Sequence, residues 1–261
     1  MVQPKPRQAR RTVKKVVGKN PSNISVKEVL SSLEKLSNQR IRDELMPRYG
    51  IHTEKAFGIG MANIHELARK IGRNHELALS LWQTGWYEAR LLAAFVDNPA
   101  EVTTTQMDQW CRDFDNWGVV DTICFKLFDK TPFAFAKVAQ WSKRKAEFEK
   151  RAAFALLASL SVHDKTAPTE AFERCLPLIE KAANDDRNFV KKGVSWALRT
   201  VGRRNPELHS QAVELAGRLS ISSNASERWI GRAAVKELTS APVLSRLKAR
   251  QVVASKRKKK S

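Results

Sequence analysis

The 261-residue sequence predicts an all-α fold, a solenoid of paired helices. From residue 25 to about residue 245 the apolar residues recur at helical spacing, with few strand-like alternations. The chain has only 11 glycines and 10 prolines, few for a loop-rich β sandwich. Helix pairs recur at roughly 35–45 residues, a spacing typical of HEAT-type repeats. An irregular all-α globule is the alternative, because no sequence repeat is evident.

Local signals define the helices of the first part of the chain. Ser25 followed by Glu28 forms a capping box that opens the first helix, and Pro47 with Gly50 ends the second. Residues 50–60 look irregular. The helices predicted here are 26–36, 39–46, 61–71, 75–83, 86–96, 105–114, 117–128, 133–141 and 147–160.

The remaining helices have their own start signals. Pro177 predicts a kink inside 169–183, and Asp186 is the predicted cap of the next helix. Asn205 and Pro206 supply an N-cap and a proline at the first helical position. The helices predicted here are 169–183, 188–201, 207–219, 226–238 and 242–247.

Positive charge is concentrated at the two ends of the chain. The net charge is +20, from 47 Lys and Arg against 27 Asp and Glu. Residues 1–20 hold seven basic side chains and residues 246–261 hold eight, and neither segment has an acid. We expect disordered basic tails at 1–20 and 248–261 around one folded domain, 21–247. Such tails fit a polyanion tether, with a solvated tail or a localisation signal as alternatives.

Several classes of function lack their sequence signals. No apolar run reaches the ~18–20 residues of a membrane span, and no signal-peptide core is present. P-loop, nucleophile-elbow and dinucleotide motifs are missing. The five His are scattered and the three Cys form no CxxC pair. We therefore expect a cytoplasmic, nucleoid-associated protein with no metal, no cofactor and no membrane contact.

Tryptophan is unusually frequent, with seven Trp against two Tyr. Four of them lie in apolar stripes and are predicted core residues: Trp82, Trp110, Trp141 and Trp229. Two others, Trp117 and Trp196, each lie beside a charged residue of the same helix. Trp117 and Asp121 are neighbours on one helix face, as are Trp196 and Arg199, with Arg203 a turn further. From the pattern alone, a core Trp beside a solvated Asp is an equally simple interpretation.

Three segments carry a family resemblance. Residues 116–121 (NWGVVD) contain a Trp-x-x-x-Asp motif, residues 150–153 are KRAA, and residues 190–199 are VKKGVSWALR. In order and spacing they resemble the HEAT-like DNA alkylation repair family, the AlkD-like DNA glycosylases, and residues 81–90 match loosely. The resemblance covers about residues 25–245. Gly118 departs from the family pattern, in which an acidic residue often follows the Trp, and this bears on how Asp121 is aimed.

The resemblance implies excision of cationic N3- or N7-alkylated purines from duplex DNA, without an enclosed base pocket. Breaking the glycosidic bond builds positive charge on the sugar, which a carboxylate stabilises. Asp121 would be that carboxylate. Trp117 and Trp196 would cradle the sugar and the lesion through cation–π attraction.

The resemblance also implies a concave, positively charged DNA-binding face and a monomer. Arg151 would hold the backbone phosphate, and Arg199 would be a second contact. An ion pair of Arg151 with Glu147 or Glu149 is the structural alternative. Further candidates for DNA binding are Arg203, Lys143, Arg144, Lys145, Lys191 and Lys192. Residues 143–145 are equally compatible with an ordinary solvated turn.

Three other functions remain open at this point. A HEAT-like module that binds nucleic acid without catalysis would keep the basic residues but would not depend on Asp121. A protein-binding scaffold would have an apolar groove in place of a basic one. A lyase would need Lys191 or Lys192 as nucleophile, although nothing in the sequence isolates either residue to lower its pKa.

Overall fold

The computed structural model describes residues 24–258, with side chains to residue 250. Within that range the chain is helical, and no strand is present among the described residues. The helices of the first part are α1 (Val26–Lys35), α2 (Gln39–Tyr49), α3 (Met61–Ile71), α4 (His75–Gln83), α5 (Tyr87–Val96), α6 (Thr104–Arg112), α7 (Trp117–Lys126), a 3-10 turn (Phe128–Lys130) and α8 (Ala134–Trp141). The second part contains α9 (Glu147–His163), α10 (Thr169–Glu173), α11 (Leu176–Ala182), α12 (Asn188–Val201), α13 (Pro206–Ser220), α14 (Ala225–Leu238) and α15 (Ala241–Lys258).

The helices form two layers. In one layer α5, α7, α9, α12 and α14 pack against one another in succession. In the other layer α4, α8, α11 and α13 each pack on a member of the first. Helix α9 lies at the centre, and nearly all of its side chains between Arg151 and Ser161 are buried. This stack of helix pairs confirms the predicted all-α helical-repeat solenoid, while the positive charge of its concave face stays a prediction.

Side-chain caps start several helices where the sequence predicted them. Ser25 accepts a hydrogen bond from the Glu28 amide, and the Glu28 carboxylate accepts one from the Ser25 amide, which completes the capping box. Asn205 caps α13, with Pro206 as its first residue. Asn116 accepts from the Val119 amide at 3.0 Å and so begins α7 at the functionally suggestive Trp.

Three boundaries differ from the prediction. Asp186 does not cap α12: its N-cap position is Arg187, and no side chain caps that helix. Pro177 marks a break and not a kink, because it lies in the first turn of α11, where a missing amide hydrogen loses no bond. Helix α2 continues through Pro47 and ends at Gly50, whose positive φ of 64° closes it.

The last helix is longer than predicted. We expected it to end at residue 247, but α15 continues to Lys258 and so overlaps the predicted tail 248–261. The overlapping residues are mostly Ala, Lys, Arg and Gln, which favour helices, and none is Gly or Pro. The predicted N-terminal tail, 1–20, and residues 259–261 lie outside the described residues.

The tryptophans divide between core and surface. The Trp82 and Trp110 rings stack at 4.1 Å, and the indole N–H of Trp141 donates to Asp108 at 2.8 Å. All three are buried, which confirms their predicted core role. The same prediction is wrong for Trp229, which is 45% exposed. Its helix buries the neighbouring Ile230 stripe instead, so the indole faces outward.

Candidate functional site

One face of α7 carries the candidate catalytic residues. Trp117, Asp121 and Phe125 are spaced four residues apart, so their side chains follow one another along that face. The sequence pattern pointed to Trp117 and Asp121 but not to Phe125. The signal was present, since Phe125 is one turn beyond Asp121.

Arg151 holds Asp121 in a forked ion pair. Its Nε donates to Oδ1 of Asp121 at 3.0 Å and its Nη2 to Oδ2 at 2.8 Å. Its Nη1 donates to the carbonyl oxygen of Phe189 at 2.9 Å, so one guanidinium joins α7, α9 and α12. The Arg151 side chain is only 7% exposed, against 20% for Asp121.

This geometry changes the role suggested for Arg151. The structural alternatives Glu147 and Glu149 are not its partners: Glu147 accepts from the Phe189 amide, and Glu149 pairs with Arg144. Arg151 positions Asp121, and only the remaining N–H bonds of its two Nη atoms are left for a phosphate.

The Asp121 carboxylate is largely shielded from solvent. Burial raises the pKa of Asp121 above its ordinary value, and the positive charge and hydrogen bonds of Arg151 oppose that rise. A desolvated charge that still reaches the surface interacts strongly with a cation placed beside it. This is the electrostatic property required of a group that stabilises developing positive charge.

Trp117 is fixed at the start of α7. Its indole N–H donates to the carbonyl oxygen of Tyr49 at 2.8 Å, and its ring packs against Leu45, Ile51 and Ala56. A damaged base could therefore stack only on the part of the indole ring that these residues leave uncovered.

Gly118 is required by packing beside that tryptophan. A Cβ atom at this position would lie 2.6 Å from the hydroxyl oxygen of Tyr87 and 3.2 Å from Cδ1 of Ile51. The departure from the family pattern therefore has a local cause: the ends of the Tyr87 and Ile51 side chains occupy the space that a side chain at position 118 would need. Asp121 keeps its regular helical position despite the glycine.

Trp196 reaches the site through Phe125. The two rings stack with centroids 4.9 Å apart and planes 4° from parallel. His163 packs edge-on against Phe125, with their ring centroids 5.4 Å apart, and its Nδ1 lies 2.5 Å from Oδ2 of Asp129. One face of Trp196 is thus covered. We expected Asp121 to lie between two free indole rings. In the structure it is flanked along α7 by one indole, Trp117, and by the stacked pair of Phe125 and Trp196.

Comparison with known proteins identifies the family of this chain. A family model described as DNA alkylation repair enzyme matches residues 29–238. The chain belongs to this family. An uncharacterized protein of Listeria innocua serovar 6a, Lin0241, is 23% identical over 163 residues, which are 61% of this chain and 70% of that protein.

A solved structure supports the family's fold for this chain. It is described as a new family of proteins related to the HEAT-like repeat DNA glycosylases with affinity for branched DNA structures. The TM-score is 0.69 at 20% identity, and the match covers 82% of this chain and 96% of the other. At this identity the likeness concerns the fold alone.

In this DNA alkylation repair family member, the basic residues predicted to bind DNA separate into two groups. Three are held by carboxylates: Arg144 by Asp108 and Glu149, and Arg199 and Arg203 by Glu237. Lys191 belongs to the same, partnered group, because it lies over the exposed Trp229 ring, 5.4 Å from its centroid. Three more are exposed and form no ion pair within residues 24–250: Lys143, Lys145 and Lys192. Only the second group presents charge that is free of an internal partner.

Three further features of the described part of the chain concern metal binding, thiol chemistry and membrane crossing. No group of three or more His, Cys, Asp or Glu there is arranged to hold a metal ion. Cys111, Cys124 and Cys175 are buried as free thiols, and burial raises the pKa of the Cys175 thiol to about 11. None of the described helices is both long and apolar enough to cross a membrane.

Proposed function

We propose that this protein is a monofunctional DNA glycosylase that excises cationic N3- or N7-alkylated purines from duplex DNA. The observation that carries the proposal is the Asp121 carboxylate, which Arg151 fixes in a largely desolvated position while one fifth of its side chain stays exposed. Membership of the DNA alkylation repair family supports the substrate class.

The proposed chemistry needs little from the protein beyond electrostatics. An alkylated purine already carries positive charge and leaves readily, and the deoxyribose then acquires oxocarbenium character. Asp121 stabilises that cation and accepts a hydrogen bond from the attacking water through a lone pair that Arg151 does not use. Arg151 prevents the carboxylate from turning away, so no reorganisation is required as charge develops.

Aromatic faces complete the proposed site. Trp117 lies one turn before Asp121, and the Phe125–Trp196 stack begins one turn after it. The open face of each contributes cation–π attraction on the order of 0.5–2 kcal/mol to the charged lesion or sugar. Exposed lysines such as Lys143 and Lys192 would contact the DNA backbone.

Base release from methylated duplex DNA tests the proposal. We expect Asp121→Asn, which preserves shape and removes the charge, to slow release by about 10²–10³-fold. The control is Asp43→Asn, which removes an exposed carboxylate of α2 and should leave the rate unchanged. DNA affinity, measured in parallel, should be similar in all three proteins. Wild-type protein that binds this DNA and releases no base would contradict the proposal.

A non-catalytic DNA-binding module is the second candidate. It is favoured by the engagement of both Asp121 oxygens by Arg151, because such a pair is close to neutral overall. The solved relative with affinity for branched DNA points the same way. This candidate predicts stronger binding to a four-way junction than to a duplex, equal binding by Asp121→Asn, and no base release.

A further inference from the structure

A basic cavity lies away from Asp121, at the C-terminal ends of α9 and α12. Its volume is about 540 Å³, and α15 forms one of its walls. Five cationic side chains line it, together with several hydroxyl and amide groups, and no carboxylate belongs to the lining. The cations are Lys165, Arg203, Arg204, Arg246 and Arg250.

Two of these guanidinium groups are held rigidly by backbone carbonyls. Arg204 donates to the carbonyl oxygens of Ser161 at 3.3 Å and Ala167 at 2.9 Å, and lies 4.2 Å from the ring centroid of Phe172. Arg250 donates to the carbonyl oxygens of Arg203 and Arg204, both at 2.8 Å. These bonds satisfy backbone carbonyls at or just after the C-terminal ends of α9 and α12. They also fix the positions of two positive charges in the wall.

Most of the charge in this cavity has no ion-pair partner. Arg203 pairs with Glu237, but the other four cations have no ion-pair partner within residues 24–250. Burial lowers the pKa of Arg204, nearby Asp164 opposes that shift, and the charge of Arg250 adds to it. The like charges of Arg204 and Arg250 therefore repel each other in the cavity wall, and a bound anion would relieve this repulsion.

Neutral donors complement the cations. The Thr169 hydroxyl accepts a hydrogen bond from Nδ2 of Asn205 at 2.9 Å, so its own proton is free to donate into the cavity. The combination of guanidinium, ammonium and hydroxyl donors suits a tetrahedral oxyanion with several acceptor oxygens. A single carboxylate could not satisfy this many donors.

We propose that this cavity is a phosphate-binding site, which accepts a nucleic-acid phosphate or a free polyphosphate. Thr200, in the cavity wall, is one turn beyond Trp196 on α12. A nucleic-acid strand leaving the α7–α12 site along α12 would arrive at this wall. The proposal does not depend on catalysis by Asp121.

Calorimetric titration with pyrophosphate tests the site. The test variant is Lys165→Gln with Arg246→Gln, because neither side chain holds another element in place by an ion pair. The control is Lys35→Gln with Arg112→Gln, which removes the same charge from exposed positions on α1 and α6. We expect pyrophosphate to bind wild type and control alike, and the test variant at least about tenfold more weakly. Absence of binding to wild type, or an equal loss in both variants, would overturn the proposal.

Competition with a labelled DNA duplex identifies the source of the phosphate. If the occupant is nucleic acid, pyrophosphate displaces the duplex, and the test variant lowers the salt dependence of DNA binding by about two charges relative to the control. If the occupant is a free polyphosphate, pyrophosphate binds while the DNA stays bound. Both results require the site. A protein without glycosylase activity would still give them, so failure of the catalytic proposal is separable from failure of this one.

Discussion

Asp121 and Asp185 are both gripped by a forked arginine, yet their pKa values shift in opposite directions. Arg187 donates to the two oxygens of Asp185 at 2.9 and 2.6 Å, and Lys150 adds a bond at 2.9 Å. These hydrogen bonds and charges hold the pKa of Asp185 well below its ordinary value. At Asp121 one cation, Arg151, does not outweigh burial, and the pKa is raised.

The ionised carboxylate of Asp185 stabilises the fold, whereas the ionised carboxylate of Asp121 destabilises it. Ionised Asp185 gains more from its two cations than it loses on leaving water. Ionised Asp121 loses more than it gains, so its charge opposes stability at neutral pH. A charged group retained at such a position is a strong candidate for function.

Among the substitutions that test this difference between the two aspartates, removal of Arg151 should cause the largest loss of stability. Arg151→Met leaves the Asp121 carboxylate without the cation that pairs with it among residues 24–250, and it removes a hydrogen bond from the Phe189 carbonyl. We expect a loss of about 3 kcal/mol in the free energy of unfolding, measured by urea denaturation at pH 7. Arg112→Met, on the exposed end of α6, should change stability by less than about 0.5 kcal/mol. Equal effects of the two substitutions would contradict the central role given to Arg151.

Asp185→Asn should have the next largest effect, with a distinctive pH dependence. Since folding lowers the pKa of Asp185, its contribution is fully present above the unfolded value of 3.8 and is lost as the pH falls below it. We expect the variant to be about 2 kcal/mol less stable than wild type at pH 7. The difference should shrink as the pH is lowered below about 3.8 in a series of denaturation curves. A constant difference across this range would rule out the electrostatic explanation.

Gly118→Ala tests the packing that aims α7 and hence Asp121. Its new methyl group would collide with the Tyr87 hydroxyl, 2.6 Å away, and we expect a loss of about 1 kcal/mol. Tyr87→Phe removes that oxygen, so the double variant should recover part of the loss, as a double-mutant cycle would measure. Simple additivity of the two substitutions would show that the contact is not the cause.

Asp121→Asn should have the smallest effect on stability, in contrast to its large expected effect on catalysis. The amide keeps one oxygen for Arg151 but turns an NH2 group toward its second N–H, and this loss offsets the gain from removing a desolvated charge. Because folding raises the pKa of Asp121, the wild-type carboxyl loses stability as the pH rises through its folded pKa. We expect the variant to be within about 0.5 kcal/mol of wild type, or more stable, at pH 7, and any advantage to vanish in acid. A loss comparable to that of Asp185→Asn would remove the distinction between the two aspartates.

Local rules explain what the sequence predicted correctly. The capping box at Ser25 and the Asn caps depend on residues three positions apart, and helical periodicity is likewise local. The Trp117–Asp121 face of α7 followed from the same periodicity. Three short segments resemble the DNA alkylation repair family, and the match of the family model to residues 29–238 confirms that prediction.

Long-range pairings explain what the sequence did not predict. Arg151 finds its partner 30 residues away, although two nearer acids on its own helix were plausible. The Phe125–Trp196 stack joins helices separated by α9. Trp229 is next to a buried stripe, but which side of α14 meets α13 depends on the register of the two helices. Such choices are made by tertiary packing, which no window of sequence contains.

The Phe125–Trp196 stack and the Arg151 fork act as two braces across α9, and they limit how the solenoid can flex. Moving α7 away from α9 and α12 would require separating two flat rings and the two charge-assisted hydrogen bonds between Arg151 and Asp121. This middle portion therefore resists changes of curvature more than a plain helix stack would. Under the proposed function, a duplex that docks here would adapt to the protein more than the protein adapts to it, and a duplex already softened by damage would do so at the lowest energetic penalty.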